Sequence, residues 1–151
     1  MTTDHSGHIG LDGDVIRDSS RRYGDWDLPG SALRILGECT NQLGPFVDDY
    51  FFCFATGPGM WLEAPFYAQG RDDFLRDLGA KLGSPLQLGL CNFTDFGSRV
   101  LWPASLAGQP MFTYTNLPAK GLLGRLGRLL GIGRNRQTYS DQVAAALANK
   151  G

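Results

Sequence analysis

The chain has 151 residues, of which 42% are apolar and 19% charged, and carries a net charge of −1. These proportions exclude a disordered or fibrous chain and describe one globular domain that buries roughly two thirds of its unfolded surface. No apolar run reaches the roughly 18 residues that suggest a spanning helix. The start, MTTDHSGHIGLDGD, has neither the basic region nor the apolar centre of a secretory signal.

In chain order, residues 1–14 are polar and glycine-containing, and a flexible segment is expected there. A short strand begins near Val15 and Ile16. Residues 17–30 read as a loop punctuated by Gly24 and by Pro29–Gly30. A first helix is expected over 31–43, with Ser31 as N-cap, Leu33, Leu36, Thr40 and Leu43 at helical spacing, and Gly44–Pro45 as the stop. DYFFCFAT (49–56) and MWLEAPFYA (60–68) follow as strands of a hairpin turning at Gly57–Pro58–Gly59. Both alternating faces of DYFFCF are apolar, which places that strand centrally, covered on both sides. Pro65 cannot donate to a ladder, so the second strand is an edge or is interrupted there.

Residues 71–82 carry the cleanest helical pattern. Asp72 and Asp73 suit the positive N-terminal end, Phe74, Leu75, Leu78 and Leu82 form one stripe, and Gly83 with Pro85 ends the helix. Three more strands are expected at 85–93, 99–106 and 110–116, separated by short turns. Segments LGPFVDDYFFCF (43–54) and LGSPLQLGLCNF (82–93) echo one another, which reads either as a duplicated helix–hairpin unit or as two helices that need the same glycine stop. Strands joined by short turns pair antiparallel. The expected fold is therefore α+β: a single domain with a mostly antiparallel sheet of about five strands, two main helices and a C-terminal helical tail.

Charge divides the chain. Residues 1–119 hold 14 acids and 8 bases, while residues 120–151 hold 1 acid and 6 bases, so a body of net −6 ends in a segment of net +5. Within that basic segment, GLLGRLGRLLGIGRNR (121–136) matches neither a phosphate-binding loop nor a dinucleotide fingerprint. At helical spacing Leu122, Leu123, Leu126, Leu129 and Leu130 share an arc of about 120°, glycines lie opposite, and Arg125 and Arg128 lie at the margin. Interior glycines each cost about 1 kcal/mol, so the leucine face needs something to dock on. Leu122, Leu126 and Leu129 with Arg125 and Arg128 are the docking residues, and the occupant is the domain itself, a partner, or a membrane surface. Nucleic acid is set aside, because the acidic body repels phosphate. A last short helix follows, capped by Thr138 or Ser140 and carrying Val143, Ala144 and Leu147.

Chemistry-bearing residues are sparse. The only histidines are His5 and His8; HSGH with Asp12 and Asp14 lacks the rigid support of a metal site, so no metal and no cofactor are expected. Cys39, Cys53 and Cys91 show no CxxC spacing and sit among apolar neighbours, which reads as buried reduced thiols in a cytoplasmic protein. Asp48 and Asp49 point to opposite faces of a strand and form no dyad by spacing. Asp95-Phe96-Gly97 matches a kinase tripeptide without any of its companions, and reads as a turn. Of seventeen aromatic residues, eight lie within 46–67 and belong to the core, whereas Trp26 stands between Asp25 and Asp27 in polar surroundings. Aromatic anchors ringed by charge are typical of interfaces. Asp25, Trp26, Asp27, Asp48 and Asp49 are therefore the expected partner-binding residues.

In size, acidic charge and the aromatic α+β body of residues 31–116, the chain resembles the small immunity proteins that neutralise toxins delivered between competing bacteria. That resemblance implies a non-catalytic, cytoplasmic protein that binds and occludes a basic toxin domain. Two alternatives stand beside it. One is a small hydrolase with Glu63 or Asp95 beside an arginine such as Arg99; the other is a peripheral membrane or scaffold protein using 121–136.

Overall fold

A computed structural model describes residues 6–40, 48–90, 97–115 and 136–149. It begins with a three-stranded antiparallel sheet, β1 (His8–Asp12), β2 (Val15–Ser20) and β3 (Gly24–Pro29), in that spatial order. One 3-10 turn (Gly30–Ala32) leads into β4 (Ile35–Thr40), followed by β5 (Tyr50–Gly57), β6 (Met60–Pro65), α1 (Arg71–Leu82) and β7 (Gly97–Trp102). The strands β6-β5-β4-β7 form a four-stranded antiparallel sheet, and β8 (Phe112–Thr115) pairs with β9 (Arg136–Tyr139) in a ribbon that precedes α2 (Asp141–Ala148). The fold is α+β, and its strands divide into three sheets.

The four-stranded sheet is the central layer, because β4 and the first six residues of β5 are wholly buried. Alternation along β5 sends Phe52 and Phe54 to one face and Phe51, Cys53 and Ala55 to the other. On the first face they meet Ile9, Ile16 and Leu28 of the N-terminal sheet and Phe74 and Leu78 of α1. On the second they meet Met111 and Phe112 at the start of β8 and Val143 and Leu147 of α2. Two apolar clusters thus sandwich one sheet. This is why DYFFCF carries no polar face.

The hairpin from β5 to β6 and helix α1 lie where the sequence predicts them. β6 is an edge strand ending at Pro65. Helix α1 closes with Gly83 in the left-handed region (φ 69°), its N–H donating to Ala80 O and that of Ser84 to Gly79 O, so the last carbonyls are satisfied. Helix α2 begins as expected, with Ser140 accepting from the Val143 N–H.

Six expectations are corrected. Residues 31–43 are not a helix: the described part forms the 3-10 turn and the central strand β4, flanked by β5 and β7, and burial on both faces overrides a helical spacing of leucines. The echo between 43–54 and 82–93 is no duplication, since a strand leads into the first and a helix into the second. Residues 17–30 are not a loop, and the described part of 1–14 is not loose: β1, β2 and β3 occupy them, turning at Gly13–Asp14 and at Arg21–Tyr23. The second turn is held by the Ser20 hydroxyl, which accepts from the backbone N–H groups of Arg22 and Tyr23. Residues 85–90 form no strand, and the predicted strand 99–106 stops at Trp102.

The basic segment 121–136, with Leu122, Leu126, Leu129, Arg125 and Arg128, lies outside the described residues, apart from Arg136 on β9. Past it the chain is firmly anchored. Ser140 N–H donates to Met111 O, and the Arg34 guanidinium donates to the carbonyls of Leu147 (2.6 Å), Ala146 (3.1 Å) and Asn149 (2.8 Å), closing the C-terminal end of α2.

Candidate functional site

The N-terminal sheet meets the outer edge of β6, and a cleft of about 300 Å³ opens there. Its walls are Tyr23 from the β2–β3 turn, Trp26 from β3, Phe51 from β5, and Trp61, Leu62 and Glu63 from β6. Trp26 sits beside Phe54 edge-on (centroids 5.1 Å apart), and its indole N–H donates to the Glu63 carbonyl at 3.0 Å. That bond satisfies an edge-strand carbonyl that would otherwise need water. Trp61 donates its indole N–H to Glu63 Oε1 at 3.0 Å, and Tyr23 stands edge-on to Phe51 at 5.5 Å. The cleft therefore combines aromatic walls with one exposed, oriented carboxylate.

The predicted partner-binding residues divide between this cleft and its surroundings. Trp26 is a wall of it. Asp27 lies on the other face of β3, where it is exposed and accepts from Arg17 at 3.2 Å. Strand alternation forbids Trp26 and Asp27 from facing one surface. Asp25 accepts from the Ser20 N–H at 3.1 Å, at the base of the turn that carries Tyr23. Asp48 accepts from Ser6 Oγ at 2.8 Å, and Asp49 from the Tyr67 hydroxyl at 3.3 Å. Burial, and then the Asp48 carboxylate, raise the Tyr23 hydroxyl above its ordinary range; burial and then Asp49, with a smaller effect of Asp48, do the same for Tyr67. Asp48 thus stands within electrostatic reach of the cleft's tyrosine wall. Tyr23, Tyr67 and Met60 are the large hydrophobic side chains left exposed among the described residues.

Three further groups were not anticipated. Glu38 is fully buried on β4. It accepts from the Tyr50 hydroxyl and from the Gly89 N–H (2.7 Å), with the Arg99 guanidinium 4.0 Å away. Arg99 therefore neighbours Glu38; Glu63 lies on the opposite edge strand, and Asp95 is outside the described residues. Asp18, on the inward face of β2, is 2% exposed, and neither of its carboxylate oxygens has a hydrogen-bond partner among the described residues. Burial, and secondarily Asp25, push its pKa up to about 7.

The third group shares Glu63 with the cleft. The β4–β5 register sets Gly37 opposite Cys53 and Phe51 opposite Cys39, so the two cysteines are diagonal neighbours on one face, with Sγ atoms 2.9 Å apart. The β5–β6 register sets Glu63 opposite Cys53. One ligand atom from each of Cys39, Cys53 and Glu63 lies within 4.8 Å of the others, the one such trio of histidine, cysteine or acidic residues among the described residues. Cys39 and Cys53 are free and buried, as the sequence predicts, while Cys91 lies outside the described residues; no chain spacing could reveal that strand register brings the pair to Glu63.

No described helix is long and apolar enough to cross a membrane. Comparisons with protein-family models, curated proteins and solved structures found no match.

Proposed function

We propose that the chain is a non-catalytic binding module that receives a cationic side chain of a basic protein partner in the cleft between the N-terminal sheet and β6. An immunity-type protein that occludes a basic toxin domain acts in this way. The observation that carries the reading is the cleft itself: four aromatic side chains around a space of about 300 Å³, with Glu63 in the wall. An arginine or lysine head over an aromatic face gains about 0.5–2 kcal/mol, and a carboxylate beside it adds charge complementarity. Asp48 and Asp49, beside Tyr23 and Tyr67, extend the negative field toward the exposed tyrosines, and a body of net −6 favours approach of a basic partner. The free buried thiols of Cys39 and Cys53 accord with a reducing compartment such as the cytoplasm.

The test is a tryptophan-fluorescence titration with an arginine-rich peptide and its glutamine counterpart. The basic peptide is expected to bind, more weakly as salt rises, and to lose about tenfold in affinity with Glu63→Gln or Trp26→Ala, the equivalent of 1.4 kcal/mol. Equal binding of the neutral peptide, or no effect of either substitution, would place recognition elsewhere.

A further inference from the structure

The geometry points to Cys39, Cys53 and Glu63 as a binding site for a thiophilic divalent metal ion of the zinc class. Three adjacent strands supply one side chain each to the same face of the central sheet, and strand register, the most rigid placement this fold offers, sets their spacing. Two sulfurs and one carboxylate oxygen form a donor set that suits zinc, cobalt and cadmium and disfavours magnesium and calcium.

The environments of the three donors differ in a useful way. Cys53 is fully buried and Cys39 is 6% exposed, whereas Glu63 is exposed at the cleft. Three protein ligands with one solvent-facing side describe a site that holds its ion from within and leaves a fourth position open. Support behind the carboxylate is already present: the Trp61 indole N–H holds Glu63 Oε1 at 3.0 Å. Outer hydrogen bonds of this kind orient metal ligands. The sulfurs, 2.9 Å apart as thiols, would open to the spacing of about 3.8 Å that two ligands about 2.3 Å from a tetrahedral ion require.

The proton balance is explicit. Binding M²⁺ converts two thiols to thiolates and releases two protons to solvent, and with the Glu63 carboxylate the loaded site carries a net charge of −1. A dication favours the thiolates, because it is the largest charge in the site and stabilises every ionised ligand around it. Affinity should therefore rise steeply with pH.

Glu63 is shared with the proposed cleft, but Cys39 and Cys53 do not line it, so the two readings separate experimentally. The probe is Co²⁺ alone, added to the reduced full-length protein and followed by thiolate-to-cobalt charge-transfer absorption. The expected result is one equivalent bound, displaced by Zn²⁺, with the band abolished in the Cys39→Ser/Cys53→Ser double variant. In Glu63→Gln, an exposed position that leaves folding intact, affinity should fall at least about tenfold. Absence of the band in reduced, folded wild-type protein would overturn the site, as would its persistence in the double variant, which would assign the ion to Cys91 or the histidines. A band and affinity unchanged by Glu63→Gln would remove Glu63 as a ligand. Isolation of a Cys39–Cys53 disulfide that takes up no cobalt after reduction would replace the metal site with a redox pair. Binding of the basic peptide that survives the double variant leaves the cleft reading standing whatever cobalt does.

Discussion

Asp18 shows how much one side chain can set the pH response of a small fold. Its neighbours across the ladders are Ile9 and Trp26, and its carboxylate has no hydrogen-bond partner among the described residues, so ionisation is opposed mainly by burial. The native pKa of about 7 lies above the ordinary value of 3.8, so between those values the folded state holds a proton that the unfolded state has released. Stability contributed by this group is complete below about pH 4, falls as pH rises through that interval, and is lost above about pH 7. A rise of roughly three units corresponds to about 4 kcal/mol as an upper bound. Asp18→Asn keeps the shape and cannot ionise. Urea denaturation should show it more stable than wild type by about 1–3 kcal/mol at pH 8, with no advantage at pH 4. An unchanged difference between the two pH values would mean that Asp18 ionises freely in the native state. Nothing in the sequence singled this residue out: RDSS, after the short strand start at Val15 and Ile16, reads as loop until β2 is seen to turn Ile16, Asp18 and Ser20 inward.

At the scale of elements, helix α1 is legible from its own residues, whereas strand β4 depends on distant partners. Helix α1 carries its stripe, its acidic first turn and its glycine stop within twelve residues, so no tertiary information was required. Strand β4 is the opposite case, since Leu33, Leu36 and Thr40 mimic a helical period. The deciding facts are that β5 and β7 flank it and both its faces are covered. Gly37 makes the difference concrete. A β-carbon there would stand 2.1 Å from Met111 Sδ and 2.9 Å from Arg99 O, so the strand accepts only glycine beside the side chain it packs against. Gly37→Ala should destabilise by about 1–3 kcal/mol through overpacking, measured by chemical denaturation, and a simultaneous Met111→Ala should recover part of that loss. Arg34, just before β4, binds three carbonyls at the end of α2 across more than a hundred residues of sequence. Arg34→Ala should cost about 1–2 kcal/mol, with Arg34→Lys intermediate, because a lysine cannot span the three acceptors.

At the scale of the molecule, the described elements nearest the two ends of the chain close opposite faces of the core. The polar, glycine-containing start is a sheet that closes one face of the core, and the basic C-terminal region ends in elements that close the other. Ile9, Ile16 and Leu28 come from the first, and Val143 and Leu147 from the second. Charge asymmetry set the C-terminal segment apart and left its docking on the domain, a partner or a membrane open; β9 pairs with β8 over four residues and α2 packs under β5, so its last part belongs to the fold. Burial of Val143 and Leu147 alone is worth about 3–6 kcal/mol, at roughly 1.5–3 kcal/mol per side chain. Their removal also uncovers Met111 and Phe112, now buried. Set against a total stability of about 5–15 kcal/mol, that loss is comparable with the whole. A chain ending at Ala119 should therefore lose its cooperative thermal transition, as followed by near-ultraviolet circular dichroism. Replacing residues 121–134 with a glycine–serine linker of equal length separates the two parts of the region, because it keeps β9 and α2. Retention of a cooperative transition in the linker variant would show that the leucine face serves something other than this core. Loss of that transition would make the same face a structural part of the domain.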